Sequence, residues 1–397
     1  MTSSPQQAVS ADFVVIGAGI AGASVAAELA KSAHVILLEM ESQPGYHTTG
    51  RSAAMFAPSY GPGPIRALTR ASNGFFLTPP PNFAAHDLLS PRDTLMIARH
   101  DQMNELDATL NQIADETPVK RLGQSALRQH QPLLREGYAS AGFLDMAASE
   151  IDVHALHHGY LRMFRATGGV LVTKSEVLSL SKRHHDWQVQ TASHIYSAAR
   201  IVNAAGAWAD SIASLAGVMP IGLVPQRRTA LIVASPSGIN PQDLPLTVDI
   251  TEKFYLKPDA GQLLISPADE TPSAPCDAQP DELDIALCVD RITTAFDLDI
   301  RRIHNKWAGL RSFVPDKSPV VGYARASSSR ANTPHDDGFF WLAGQGGYGI
   351  QTAPALARYA AALVQEQSPP ADILDQGLDP HTIGPERLAD AADRQSP

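Results

Sequence analysis

Cysteine is nearly missing from this chain. Cys276 and Cys288 are the only two in 397 residues, too few for a disulfide framework or a four-thiolate metal site, and such usage suits a reducing compartment. No apolar run approaches the ~20 residues that a membrane-crossing helix needs. No basic block stands out, and a formal charge of -10 argues against nucleic acid, which is held by clustered lysines and arginines that displace counterions. The opening MTSSPQQAVSADF has neither the basic nor the apolar region of a secretion signal. A cytoplasmic protein without a transmembrane segment is expected. The length favours two domains, and the composition is that of a globular enzyme.

What is present begins at Asp12, with DFVVIGAGIAGASVAAELA. An apolar strand stops at Gly17-Ala18-Gly19-Ile20-Ala21-Gly22 and gives way to a helix expected over Ile20–Lys31. Gly17 permits the tight turn, Gly19 lets the backbone approach a diphosphate, and Gly22 lets helix and strand pack closely. The diphosphate would rest on the positive end of the helix. A second strand, HVILLEM, ends in Glu39, 22 residues beyond Gly17, where a carboxylate is expected to bind a ribose hydroxyl. Strand, turn, helix, strand and acid together predict a dinucleotide site. Glu39 disfavours NADP, whose additional phosphate would face a carboxylate.

Separating NAD from FAD takes the rest of the chain. An NAD domain would continue with further strand–helix repeats; here a loop of small and polar residues, GYHTTGRSAAMFAPSYGPG, follows instead. Two more strand–glycine–helix turns come far downstream, in ARIVNAAGAWADSIASLAG and in GFFWLAGQGGYGIQTAPALARYAAALVQ. Three such turns converging on one ligand suit a cofactor longer than NAD, with an isoalloxazine ring to bury.

The stretches VIGAGIAGAS, TTGRSAA, VNAAGAWAD, PQRRTALI, FYLKPDAG, WAGLRSFVPD and GQGGYGIQTAPA resemble the FAD-dependent amine and D-amino-acid oxidoreductases, the group of D-amino-acid oxidase, glycine oxidase and sarcosine oxidase. Within it the chain is most similar to the bacterial D-arginine dehydrogenases. The resemblance implies an α/β fold: a Rossmann-like FAD-binding domain of the glutathione-reductase type, and an α+β substrate domain on a mostly antiparallel sheet. The FAD domain would be discontinuous, with pieces 12–80, 145–222 and 319–366; the substrate domain would take 81–144 and 223–318. Residues 1–11 and 369–397 are expected to be flexible. Helical spacing over PDELDIALCVDRITTAF puts Leu283, Ala286, Leu287, Ile292 and Phe296 on one apolar face.

The resemblance further implies oxidative deamination of D-amino acids, with hydride passing from the substrate Cα to flavin N5 and the electrons leaving to an acceptor other than oxygen, such as a quinone. The protein would be a monomer or weak dimer, cytoplasmic or peripheral to the inner membrane. Cofactor contacts fall on Gly17, Gly19, Ile20, Ala21, Gly22, Glu39, Arg51, Ser52, Ala53, Val177, Ala205, Gly206, Gly309, Gly346, Gly347, Tyr348, Gly349 and Ile350. Neither cysteine lies in LRSFVPD, where covalent attachment would occur, so FAD is expected to be non-covalent. Two other readings share the motifs: an oxygen-using amine oxidase of the glycine- or sarcosine-oxidase kind, and a non-catalytic flavin-binding partner subunit.

A substrate carboxylate is best held by the planar fork of arginine. Arg227 and Arg228 are neighbours on a strand, so only one faces a pocket; the resemblance selects Arg228. Arg311 lies among Trp307, Leu310, Phe313 and Val314 and must be paired, by substrate or by an acid such as Asp316. Tyr255 on a strand and Tyr60 on a loop complete the catalytic set. Met55, Thr94, Gly347, Ile350 and Gln351 would line the substrate pocket. Where the D-arginine dehydrogenase pattern has a histidine and a glutamate, this chain has Met55 and Thr94, and Asp93 would face away. Loss of preference for D-Arg and D-Lys is therefore expected, in favour of neutral, moderately apolar D-amino acids. His154, His157 and His158 share a helix face, but nothing nearby completes a metal site, and no metal is expected.

Overall fold

Strands Val9–Ile16 and Val35–Leu38 are apolar on both faces over Phe13–Ile16 and throughout, as a parallel sheet covered on two sides requires. In the computed structural model, which describes residues 8–325 and 338–388, they run parallel to each other, and Val9–Ile16 runs parallel to Ile195–Asn203. On the edge of Ile195–Asn203 away from Val9–Ile16, Phe339–Ala343 pairs parallel with Ile201–Asn203, and the hairpin Ser179–Arg183/Asp186–Gln190 pairs antiparallel with Ile195–Ala198. Helices Ile20–Leu29, Val153–Ala166 and Gly349–Val364 pack against this sheet through Ala23, Ala27, Leu156, Tyr160, Leu356 and Ala360. No helix among the described residues is long and apolar enough to cross a membrane.

The second sheet is mixed and mostly antiparallel. Its order is Thr271–Pro272, Val224–Val233, Gln262–Ser266, Tyr255–Asp259, Leu246–Asp249, Thr94–Ala98, Ala141–Asp145, Lys120–Gly123, with Ile303–Phe313 also paired to Val224–Val233. Side chains alternate between its faces. Leu231, Val233, Ile265, Leu256, Leu95 and Leu144 point to one side, into a core shared with Ile285, Cys288 and Ile292 of helix Glu282–Ala295. The register places Arg311, Arg228, Tyr255, Val248, Thr94 and Met96 together on the opposite face.

Two expectations are corrected. The helix Glu282–Ala295 forms, but its buried stripe is Asp284, Ile285, Cys288, Ile292 and Ala295, and Leu283 is 66% exposed. Asp284 is drawn inward by Arg227, whose Nη2 lies 2.6 Å from its Oδ2, which rotates the apolar face from the one that spacing alone favours. The terminal segments are also less loose than expected. Val9–Ala11 pair with Tyr196–Ala198. Residues 369–388 dock through buried Ile373, Leu378 and Ile383, with Arg387 paired to Asp316 at 2.7 Å. Isolated apolar residues in a polar stretch reach the core there, a long-range fit that local composition does not reveal. Residues 1–7 and 389–397 lie outside the described residues.

Candidate active site

The glycine turn is built by close approach. Gly17 has φ +97°, and a Cβ there would sit 2.6 Å from the Ala204 carbonyl oxygen. A Cβ at Gly22 would come within 1.8 Å of the Gly17 oxygen, so the helix rests directly on the turn. Glu39 braces it: Oε2 accepts from the Ala18 amide at 2.8 Å and Oε1 from the Glu41 amide at 2.9 Å. His157 braces it from beneath, donating from Nε2 to the Ala18 carbonyl at 2.9 Å. Burial pushes its pKa down to about 4 despite that carbonyl, so the ring is neutral at pH 7. Sequence reasoning discounted this histidine as a metal ligand and missed it as a brace.

An elongated cavity starts at this turn. Gly17, Gly19, Ile20, Ala21, Glu39, Arg51, Ser52, Ala53, Val177, Ala205, Gly206, Gly309, Gly346, Gly347, Gly349 and Ile350 all line it, brought together from distant parts of the chain. Gly22 does not line it and serves packing; Tyr348 lines a neighbouring cavity instead. Arg51 contributes surface rather than free charge, because its guanidinium donates to the carbonyls of Ala308 at 2.8 Å and Ala278 at 3.0 Å and pairs with Asp277. His47 and Trp208, with ring centroids 4.7 Å apart, are wall residues that sequence reasoning did not identify. Neither cysteine lines this cavity.

The neighbouring cavity meets the first at Ser52, Ala53, Arg228, Tyr255, Arg311 and Gly347. It holds Tyr60, Met55, Thr94 and Gln351, while Ile350 faces only the first cavity and Asp93 neither. Arg311 keeps part of its surface accessible and lines both cavities. No hydrogen bond or ion pair of its guanidinium is found among the described residues. Asp316, the alternative partner, is engaged by Arg387. Burial opposes the Arg311 charge, but Tyr255, Tyr60 and Glu252 outweigh it and its pKa moves up. Arg228 is lowered by burial and by Arg311. Its Nη2 lies 3.3 Å from Glu270, which also takes Lys317 at 3.0 Å, and its buried Nε has no partner among the described residues. Arg227 faces the other side of the sheet, on Asp284.

One acid in this cavity had no signal in the sequence. Glu252, at φ +54° in the turn before Tyr255, accepts from the Tyr60 hydroxyl at 2.9 Å. Burial and that carboxylate hold the Tyr60 pKa well above 10. The arrangement therefore offers an uncommitted guanidinium and phenol hydroxyls where a small molecule would meet the ligand of the long cavity.

The family model described as FAD dependent oxidoreductase (DAO) matches residues 12–363. The chain belongs to this FAD-dependent oxidoreductase family. Among curated relatives, human mitochondrial dimethylglycine dehydrogenase is 26% identical over 277 residues, covering 64% of this chain and 30% of that one. The oxidoreductase thus spans about a third of that relative. Glycine oxidase of Geobacillus kaustophilus is 22% identical over 390 residues, 93% of this chain and 97% of that one. Its crystal structure aligns with a TM-score of 0.77 at 21% identity, covering 91% and 96% of the two chains. The FAD-bound L-alpha-glycerophosphate oxidase of Mycoplasma pneumoniae aligns at 0.78 with 18% identity, covering 90% and 95%. These likenesses show the fold. The oxidoreductase's own long cavity fits FAD: its lining runs from the Gly17–Gly19 turn and Glu39 to the Gly346–Gly347 turn, and a Cβ on Gly206 would meet nothing within 4 Å.

Proposed function

We propose that this oxidoreductase oxidises the Cα–N bond of D-amino acids, in the manner of the D-arginine dehydrogenases but with a neutral side chain in place of a cationic one. The observation that carries the reading is Arg311, a largely enclosed cation without a partner among the described residues, facing the junction of the two cavities. A single carboxylate there would neutralise it, with Arg228 Nε and the Tyr255 hydroxyl as further donors. Bound FAD supplies the two-electron oxidant that takes hydride from the substrate Cα. The protein's part is to orient and to exclude water. Carboxylate capture fixes one end of the substrate, and the Gly346–Gly347 turn meets Arg311 so closely that a Cβ on Gly347 would lie 2.7 Å from its Nη1. Tyr60 stays protonated and does not serve as a base, so the amine reacts in its neutral form.

The electrons leave to an acceptor such as a quinone in this reading. The second reading, a glycine- or sarcosine-type oxidase using oxygen, draws on the likeness to glycine oxidase along nearly the whole chain. One experiment separates them: an anaerobic panel of amino acids of both hands, glycine and N-methylglycine, followed by bleaching of the flavin absorbance and then admission of air. Bleaching by D-amino acids with slow return in air supports the first reading. Bleaching by glycine or sarcosine with rapid return supports the second, and no bleaching by any member refutes both.

A further inference from the structure

The substrate cavity contains more unanswered polarity than a carboxylate and an amine can use. Besides Arg228 Nε, two buried groups of residues on its wall have no hydrogen-bond partner among the described residues: Thr94 Oγ1 and Gln351 Nε2, on residues 4% and 3% exposed. The Gln351 amide is oriented by its other end, since Oε1 accepts from the Ala57 amide at 3.1 Å; exchanging the two atoms would set an NH2 group against that donor. Its free end is therefore a donor. Thr94 offers both a donor and an acceptor. Buried polar groups are almost always paired, and unpaired ones on a cavity wall point to a ligand that pairs them.

The place of Thr94 in the sheet says which part of the ligand it meets. Arg228 and Thr94 stand on the same face, with strands Gln262–Ser266, Tyr255–Asp259 and Leu246–Asp249 between them. Arg228 is four strand spacings from Thr94, about 19 Å along the sheet, and Tyr255 is two, about 10 Å, so a substrate held by its carboxylate among Arg311, Arg228 and Tyr255 reaches Thr94 only through a side chain. Thr94 thus meets the far end of a side chain, past apolar walls of Met55, Met96 and Val248.

Charge decides the nature of that end. Arg228 and Arg311 face Glu252 inside the cavity, and Glu270 is matched outside it by Lys317. One substrate carboxylate balances the set. Arg66, the remaining cation on the wall, is held by Glu116 at 2.8 Å and the Gly61 carbonyl at 2.7 Å. A second carboxylate would find no free cation, and a cationic tip would leave a surplus charge.

Resting on the amino-acid reading above, we infer that the preferred substrates carry an apolar stem ending in a neutral hydrogen-bonding group, a carboxamide or hydroxyl, bound by Thr94 and Gln351. The test uses isosteric pairs with the FAD-loaded protein under anaerobic conditions: D-Asn against D-Leu, and D-Gln against D-2-amino-5-methylhexanoate. The expected result is a kcat/KM for flavin bleaching at least tenfold higher for the polar member of a pair, as unpaired buried groups reject an apolar isostere. Thr94→Val and Gln351→Met should each narrow that ratio at least fivefold, mainly through KM, while Thr94→Ser retains it. Unchanged FAD absorbance and melting temperature would show each variant to be folded. Equal or better bleaching by the apolar members, by D-Arg or by D-Glu would overturn the inference while leaving the amino-acid reading intact, as would ratios unmoved by Thr94→Val and Gln351→Met. Absence of bleaching by every amino acid would overturn that reading, and this inference with it.

Discussion

Replacing Arg311 with methionine removes a largely enclosed guanidinium that no group among the described residues answers. Methionine keeps much of the side-chain volume, and the neighbouring turn tolerates it, since the guanidinium already lies against Gly347. A charge-assisted, two-pronged contact with a desolvated carboxylate is worth about 3–4 kcal/mol when truncated on one side. That is on the order of 200–1000-fold in kcat/KM. Arg228 does not take over, because its Nη2 is turned toward Glu270 at 3.3 Å. Arg311→Lys should recover only part of the loss, a point charge replacing a planar fork. The assay is anaerobic stopped-flow bleaching of the flavin over a range of substrate concentrations, with FAD content measured in parallel. Full FAD content and a loss within fivefold would remove Arg311 from the site. Loss of FAD together with activity would make it a cofactor residue instead.

Several other outcomes are expected. The kcat/KM should rise with pH through the titration of the substrate amine and reach a plateau without a falling limb below pH ~10, because Tyr60 titrates well above its ordinary value; a flat profile from about pH 6 to 10 would contradict amine deprotonation as the requirement. Gly17→Ala forces a Cβ to within 2.6 Å of the Ala204 oxygen at φ +97°, so the variant should purify without its yellow colour, and normal FAD occupancy would contradict the placement of the turn. Acid precipitation of the native protein should leave a colourless pellet and free FAD, and colour kept in the pellet would refute non-covalent binding. His157, at about 4 in the folded protein and near 6.5 unfolded, binds protons more readily when unfolded. Its contribution is fully present above pH ~6.5 and falls by about 3 kcal/mol as pH drops toward 4. His157→Gln should flatten melting temperature against pH over that window, and an unchanged slope would refute the assignment.

The sequence by itself determined whatever depends on short range and on alternation. Gly17 and Gly22 with Glu39 specify their turn because the two glycines answer contacts within a few residues or across one strand pair, at the Gly17 oxygen and at Ala204. Arg227 and Arg228 had to face opposite ways because the side-chain period of a strand is two, and Thr94 and Asp93 separate for the same reason. Tertiary structure decided which uncommitted groups share a space. Glu252 reaches Tyr60 across 192 positions, and Asp316 is taken by Arg387, leaving Arg311 without a partner among the described residues. The stripe on helix Glu282–Ala295 turned toward Asp284 because an ion pair with Arg227 outweighs the burial of Leu283. The segment 369–388 docked because Ile373, Leu378 and Ile383 find pockets built from remote residues. Pairing between distant charges and the filling of a core depend on three-dimensional complementarity, and local pattern carries no record of it.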